Sequence, residues 1–433
     1  MKIAIIGAGW AGMAAAVAAT QAGHHATVFE ASRAVGGRAR ALNGTLPNGT
    51  PVVLDNGQHI LIGAYTETLR LMQQVGVDPA TALLSQPMAL VFPDGLGLRF
   101  PAWPTPLDAL VGIVTARGWS VADKWSLLRT ATGWQRRGFK CPTHWSVHDL
   151  CHGLRPKVVA ELMEPLCVSA LNTPAERASA QVFLRVMQDA LFGVQGGSRL
   201  LLPRVDLGTL FPTAAADWVT QRGAQMRLGQ RVTHIAPQGD GWQLQGEPFD
   251  AVVLATSASN AALALDGIAE VASENIANKL HHWSQTTRAL QFEAIATVYA
   301  WAPGAALPRP MLALCSDAGG ADHAAPAQFV FDRGQLGGPP GLLAFVVSAS
   351  STNQQILQTQ VLGQARQQLG LTLEPVQTVI EKRATFACTP GLVRPPQAIA
   401  PGLVACGDYI DGPYPATLEG AIRSGLSAVK ALQ

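Results

Sequence analysis

Cysteine is sparse in this chain and never paired. The six residues Cys141, Cys151, Cys167, Cys315, Cys388 and Cys406 are scattered, with no CxxC spacing. That argues against a zinc ribbon or a disulfide framework and fits reduced thiols in a cytoplasmic protein. A dominant charge is also missing. Lys and Arg total 31 against 29 Asp and Glu, a net of +2, so no nucleic acid partner is expected. No apolar stretch approaches the ~20 residues of a membrane-spanning helix. The start shows no secretory signal, because Ile3 to Ile6 runs straight into a Gly-rich turn. The histidines lack metal-ligand spacing, and the adjacent pairs His24-His25 and His281-His282 read as surface features, so no metal is expected.

The chain does have length, at 433 residues and 48% apolar, which predicts two domains or more. It also has 43 glycines, as suits a backbone that must approach a ligand closely. Lys2 to Ile6 reads as a buried parallel strand and is followed at once by Gly7-Ala-Gly9-Trp-Ala-Gly12. Met13 to Gln21 is Ala-rich and helical by propensity, Gly23 ends it, and Ala26 to Phe29 is a second strand closed by Glu30. This is a whole βαβ unit with a dinucleotide fingerprint. Gly7 makes the tight turn, Gly9 lets the backbone approach a pyrophosphate, and Gly12 lets helix and strand pack closely. The helix N-terminus offers free N–H groups and partial positive charge to that pyrophosphate. Glu30 accepts from ribose hydroxyls and disfavours a 2′-phosphate, hence NADP.

Gly36, Gly37 and Arg38 follow just past the acid. A second glycine pair brings another loop to the same pyrophosphate, where the Arg supplies charge and a forked donor. This pattern resembles the flavoprotein family of amine oxidases and phytoene desaturases, in which such a loop contacts FAD phosphate. At the other end, Leu403 to Cys406 reads as a strand stopping at Gly407-Asp408. Thr417-Leu418-Glu419 then opens a helix that runs to the C-terminus. This resembles the family's closing FAD motif. The resemblance implies Asp408 on the ribityl chain, and the last helix with its N-terminus toward the flavin, favouring negative charge on the reduced ring. It also implies the loop Asp55 to Tyr65, with Gly57 and Gln58, beside the isoalloxazine. Val232 reads either as a neighbour of adenine or as a plain core residue of a strand.

The expected fold is α/β. A Rossmann-type FAD-binding domain comes from residues 1–75, 196–265 and 395–433, and a mixed α+β substrate domain from 76–195 and 266–394. Val121 to Trp134 reads as helix, and Gln328 to Phe331 and Leu342 to Val347 as strands.

The Gly-Trp-Ala-Gly start, the Asp55 to Tyr65 segment and the tail from Ala405 to Ala421 together resemble the hydroxysqualene dehydroxylases along the whole length. That group serves bacterial squalene and hopanoid synthesis. The resemblance implies FAD, reductive removal of the hydroxyl from hydroxysqualene or a similar long apolar isoprenoid, and synthases of that pathway as partners. His59, in the flavin-facing loop, is the expected proton donor if protonated near neutral pH; the alternative is a hydrogen-bonded structural histidine. Asp411, Tyr409 and Tyr414 are the other candidate acids, and each reads first as a residue that shapes the loop. Between Arg99 and Lys157 stand nine Lys/Arg against Asp108, Asp123 and Asp149, a local net of +6, with Trp103, Trp119, Trp125, Trp134 and Trp145 among them. That segment reads either as a face peripheral on the inner side of the membrane or as a helical core with a solvated basic face. Two rival readings stay open: an oxidative carotenoid desaturase or amine oxidase, and a non-catalytic flavoprotein that holds a polyprenyl lipid for a synthase.

Overall fold

The computed structural model of the chain describes residues 1–104, 106–316, 325–350 and 353–433. Three separated stretches of sequence supply one six-stranded sheet. Its order is Gln225–Leu228, His25–Glu30, Lys2–Ile6, Ala251–Leu254, Leu403–Ala405 and Ala398–Ala400. The first five are parallel and the last adds an antiparallel edge. Strands covered on both faces read as unbroken apolar runs, which is why Ile3 to Ile6 and Ala251 to Leu254 show no alternation.

The helix Trp10–Gln21 lies almost wholly buried between this sheet and the last helix, Leu418–Lys430. Its Ala residues permit that close approach. The last helix is amphipathic: Ala421, Ile422, Gly425, Ala428 and Val429 form its buried stripe. On the other face sits a three-stranded ribbon, Ile235–Gln238, Gly241–Leu244 and Glu247–Phe249. Phe249 meets Phe29 edge-on at 6.0 Å, and the Trp242 indole N–H donates to the Pro401 carbonyl at 3.2 Å.

A second, antiparallel sheet runs Met311–Ala313, Phe329–Asp332, Leu342–Ser348, Phe292–Trp301 and Glu374–Phe386. Side chains alternate across it. Ala296, Val298 and Phe345 pack under the helix Gln354–Leu369, while Ile295, Phe329 and Val346 face the cleft described below. The remaining body is mainly helical, with a few short strand pairs such as Ala41–Thr45 with Pro51–Asp55. Leu107–Thr115, Val121–Arg136, Glu164–Leu171 and Ala180–Gln188 surround an apolar cavity, with single π-helical turns at Val159–Met163 and Asp189–Gly193. Val121–Arg136 begins at a capping box made by Ser120 and Asp123. The tryptophans of the basic segment divide between the two readings of it. Trp119 and Trp134 are core, Trp145 is half-buried, and Trp103 and Trp125 stand exposed.

Candidate active site

A cleft of about 630 Å³ runs across the C-terminal ends of the parallel strands, where open α/β sheets bind ligands. Gly7, Glu30, Ala255 and Gly407, each just past or at the end of its strand, line it.

Gly7 holds φ at +111°, and a Cβ there would lie 2.5 Å from the Ala255 carbonyl oxygen. Gly12 does not reach the cleft. It lies against the turn, where a Cβ would meet the Gly7 oxygen at 1.9 Å, so its place is helix-to-strand packing. Gly9 caps the helix Trp10–Gln21 with no side-chain bond, which leaves that N-terminus free for an anion. The second glycine loop is zipped onto the first: Gly36 N–H donates to the Ala8 carbonyl at 2.8 Å, and Gly9 bridges Gly36. Gly37 packs on Gly9 so closely that a Cβ would sit 3.2 Å from its Cα. Two bare backbone segments thus form one cradle, which fits a pyrophosphate.

Glu30 accepts the Ala8 N–H on one carboxylate oxygen and the Ser32 N–H on the other, both at 2.8 Å. Each oxygen keeps a lone pair for a ribose hydroxyl. Gln230 N–H donates to the Glu30 carbonyl at 2.9 Å, which places nearby Val232 on the same cleft wall. Arg38 and Asp408, expected to hold different parts of the cofactor, here hold each other at 2.5 Å. Arg38 also donates to the carbonyl of Ala384 at 2.7 Å, so it clasps the first loop, the closing motif and the second sheet together.

The loop after Asp55 is pinned from behind. Tyr299 donates to the Asp55 carbonyl at 3.0 Å, and Gln58 N–H donates to Thr297 Oγ1 at 3.3 Å. Buried Arg333 donates to Gln58 Oε1 at 3.2 Å and lies 3.9 Å from the Asp55 carboxylate. Burial pushes Asp55 up to about 6, against the Leu207 N–H and Arg333, which pull it down. These contacts hold Gly57, Gln58 and His59 on the cleft.

His59 corrects an expectation. Burial lowers its pKa, and the Arg38 charge adds to this, although the hydrogen bond to Gly57 opposes both. Its Nδ1 lies 2.8 Å from the Gly57 carbonyl, which can only accept. The one proton of the neutral ring is therefore committed, and the protonated donor expected at this position is disfavoured.

Thr417 caps the last helix by accepting the Gly420 N–H at 3.0 Å, and Thr417 and Leu418 both line the cleft. Glu419 is a second correction. It is fully buried, but beside the cleft rather than on it. Its carboxylate accepts the N–H groups of Glu67 and Thr68 at 3.1 and 2.9 Å, the Thr68 hydroxyl at 2.6 Å, and Arg423 Nε at 2.7 Å, which fills its four lone-pair sites. It caps the helix Thr66–Gln74 and has no side-chain capacity left for a cofactor.

A second cavity, of about 370 Å³, adjoins the cleft. Ile60, Tyr65, Ser169, Ala170 and Thr417 belong to both. Its walls are Leu, Ile, Phe and Met from the helical body, and among its described lining residues the ionisable ones are Tyr65, Asp189 and Tyr414. Sequence reasoning missed Asp189, a lone acid at a helix end with no motif around it.

A dinucleotide cradle closed by a C-terminal Gly-Asp and helix N-terminus, beside an apolar tunnel, defines a flavin-dependent oxidoreductase, with FAD as its cofactor. The chain belongs to the flavin containing amine oxidoreductase family, which it matches over residues 10–433. It is similar to the hydroxysqualene dehydroxylase of Rhodopseudomonas palustris, at 27% identity over 97% of this chain and 96% of that one. It is also similar to the hydroxysqualene dehydroxylase of Sinorhizobium fredii, at 25% identity over 98% and 96%. Among solved structures, an oxidoreductase from Methanosarcina mazei shares the fold with a TM-score of 0.72 and 16% identity, covering 99% of this chain and 100% of that one.

Proposed function

We propose that this enzyme removes the hydroxyl group of hydroxysqualene reductively, giving squalene and water in bacterial squalene and hopanoid synthesis. The observation that carries the reading is the apolar tunnel that ends on the flavin cleft. The names of the full-length relatives support it. Gly7, Gly9, Gly36, Gly37 and Arg38 would hold the pyrophosphate, Glu30 the adenosine ribose, Asp408 the ribityl chain, and Val232 the adenine side. Bound FAD, once reduced, supplies a hydride. The chain supplies the surroundings. The tunnel walls keep water from a developing allylic cation. The helix N-terminus at Thr417 and Leu418 favours negative charge nearby. Gly57 and Gln58, the latter pinned by Thr297 and Arg333, would hold the loop beside the flavin ring.

The substrate is water-insoluble, so its route matters. Leu107, Leu110 and Val114 form an exposed stripe on one helix, and Val121 and Trp125 continue it at 84% and 66% exposure. Leu107 and Leu110 also line the tunnel, so its mouth opens among these residues. Arg117 and Arg129 stand exposed alongside. In this reading the stripe rests on an anionic membrane surface at the cytoplasmic side, and substrate enters from the bilayer. Squalene-pathway synthases stay its proposed partners on the resemblance alone. Incubation of FAD-loaded enzyme with a flavin reductant and hydroxysqualene, followed by mass spectrometry, tests the reaction. Squalene is the expected product; a desaturated polyene, or recovered substrate, would overturn it.

A further inference from the structure

Ile60, Tyr65, Ser169, Ala170 and Thr417 are the described residues that line both the tunnel and the flavin cleft. In the proposed function the reacting carbon must lie among them, because the hydrocarbon fills the tunnel and hydride comes from the cleft. Removing a hydroxyl from that carbon needs a proton donor, and the His59 proton is committed to Gly57. Tyr65, Ser169 and Thr417 carry the hydroxyl groups at this junction.

Hydrogen bonds separate the three. Thr417 Oγ1 donates to the Tyr414 carbonyl at 2.7 Å and accepts the Gly420 N–H at 3.0 Å. Ser169 donates to the Leu166 carbonyl at 3.0 Å, within its own helix. A hydroxyl has one proton to give, so both are spent. The Tyr65 phenol, although beside Thr417, makes no hydrogen bond of acceptable geometry to a described residue. Nor is its oxygen sealed in protein without a partner, as that of Tyr409 is; Tyr65 is half-buried and faces both cavities.

The backbone around Tyr65 is held in place. Gly63 N–H donates to the Arg199 carbonyl at 3.0 Å, Ala64 N–H donates to the Gly197 carbonyl at 3.2 Å, and Tyr65 is the N-cap of the helix Thr66–Gln74. A Cβ on Gly63 would come within 2.0 Å of the Gly196 oxygen, so the close approach of these loops requires glycine. The Tyr65 ring meets Tyr414 edge-on at 6.4 Å, and Tyr414 lines the tunnel but not the cleft. Burial pushes the Tyr65 phenol above the usual tyrosine range, so it keeps its proton at neutral pH.

We propose that Tyr65 is the catalytic acid of this site: its phenol donates to the substrate hydroxyl at the junction and gives up the proton as the C–O bond breaks. The electron pair of that bond leaves with the oxygen, which takes the phenol proton and departs as water. The carbon takes a hydride from reduced flavin, which is thereby oxidised, and the phenolate recovers a proton from solvent. A phenol, near ~10 in water, is a stronger acid than water at ~15.7, so protonating a departing hydroxide is downhill. The role rests on the proposed reaction.

Tyr65→Phe tests it, because the variant keeps the ring and its contact with Tyr414. In an anaerobic single turnover, reoxidation of reduced flavin by hydroxysqualene should slow by about 10²–10⁴-fold, the range of a lost general acid. The allylic acetate of hydroxysqualene, whose leaving group departs without a proton, should reoxidise the variant and the natural protein at similar rates. Equal slowing with alcohol and acetate would make Tyr65 a residue that only shapes the site, and an unslowed alcohol would mean another donor; either result overturns the proposal. A second readout needs no turnover. On oxidised, FAD-loaded protein, geranylgeraniol should bind several-fold more tightly than the matching hydrocarbon, the range of one hydrogen bond, as read from the flavin absorbance band. Tyr65→Phe should erase that preference. No preference in the natural protein, or one kept in the variant, would overturn the contact. If the preference is lost as expected but neither alcohol nor acetate reoxidises the flavin of the natural protein, the hydroxyl contact stands, and the reaction assignment falls and takes the acid's role with it.

Discussion

At the scale of single residues, the cleft depends on groups whose protonation is set by burial. Asp55 is 2% exposed and titrates near 6 when folded. In the unfolded chain an aspartate titrates near ~3.9. The folded state therefore binds more protons between these values, so stability falls as pH rises through that window. The contribution is fully present below ~4 and lost above ~6; a two-unit shift makes it about 3 kcal/mol. Urea denaturation at pH 5 and pH 7 should show this fall in the natural protein and lack it in Asp55→Asn. An identical pH dependence in the variant would remove Asp55 as its source. For His59 the committed Nδ1 proton implies a role in holding the loop. His59→Ala should retain FAD and lose less than about tenfold in turnover, because the ~10²–10⁴-fold loss belongs to a true general acid. A loss in that larger range would restore the histidine as proton donor. Glu30→Ala should weaken FAD retention by roughly 1.5–3 kcal/mol, the value of hydrogen bonds to a charged group, measured by flavin release on dilution. Full occupancy at nanomolar protein would contradict the ribose role.

At the scale of elements, the helix Leu107–Thr115 and the start of Val121–Arg136 leave an apolar stripe exposed among the described residues. Flotation with vesicles containing anionic lipid should carry the protein upward at low salt. Added salt should weaken this, since the attraction is screened over ~8 Å at physiological strength. Replacing Val121 and Trp125 together by Asp should lower partitioning by roughly 10²–10⁴-fold, since each buried side chain contributes ~1.5–3 kcal/mol. Unchanged flotation of that double variant would mean that another surface meets the membrane. The stripe was only half legible beforehand. Trp119, Trp125 and Trp134 look alike in the sequence, and only the packed helices decide which faces inward. Glu419 shows the same limit. A helix-opening acid in a cofactor motif invites a cofactor role, but the helix Thr66–Gln74 lies against it, far away in the chain, and takes its carboxylate.

At the scale of the molecule, a sheet assembled from residues 2–30, 225–254 and 398–405 brings both ends of the chain to one cleft. The part around Gly7 to Glu30 was readable because strand, turn, helix and acid are consecutive, and each leaves a local signal. The pairing of Asp55 with Arg333 leaves none, since partners so distant in sequence meet only through the fold. The tunnel is likewise a property of packed helices, and in the proposed function it is what would fit the flavin cleft to a long apolar alcohol. The central claim is that reduced flavin in that site delivers hydride to carbon. The most direct measurement is an anaerobic single turnover in deuterium oxide, with flavin absorbance and product followed together. The flavin N5 hydrogen exchanges with solvent, so the account predicts flavin reoxidation on addition of hydroxysqualene, in step with squalene carrying one deuterium. Flavin that stays reduced while hydroxysqualene is recovered unchanged would contradict it.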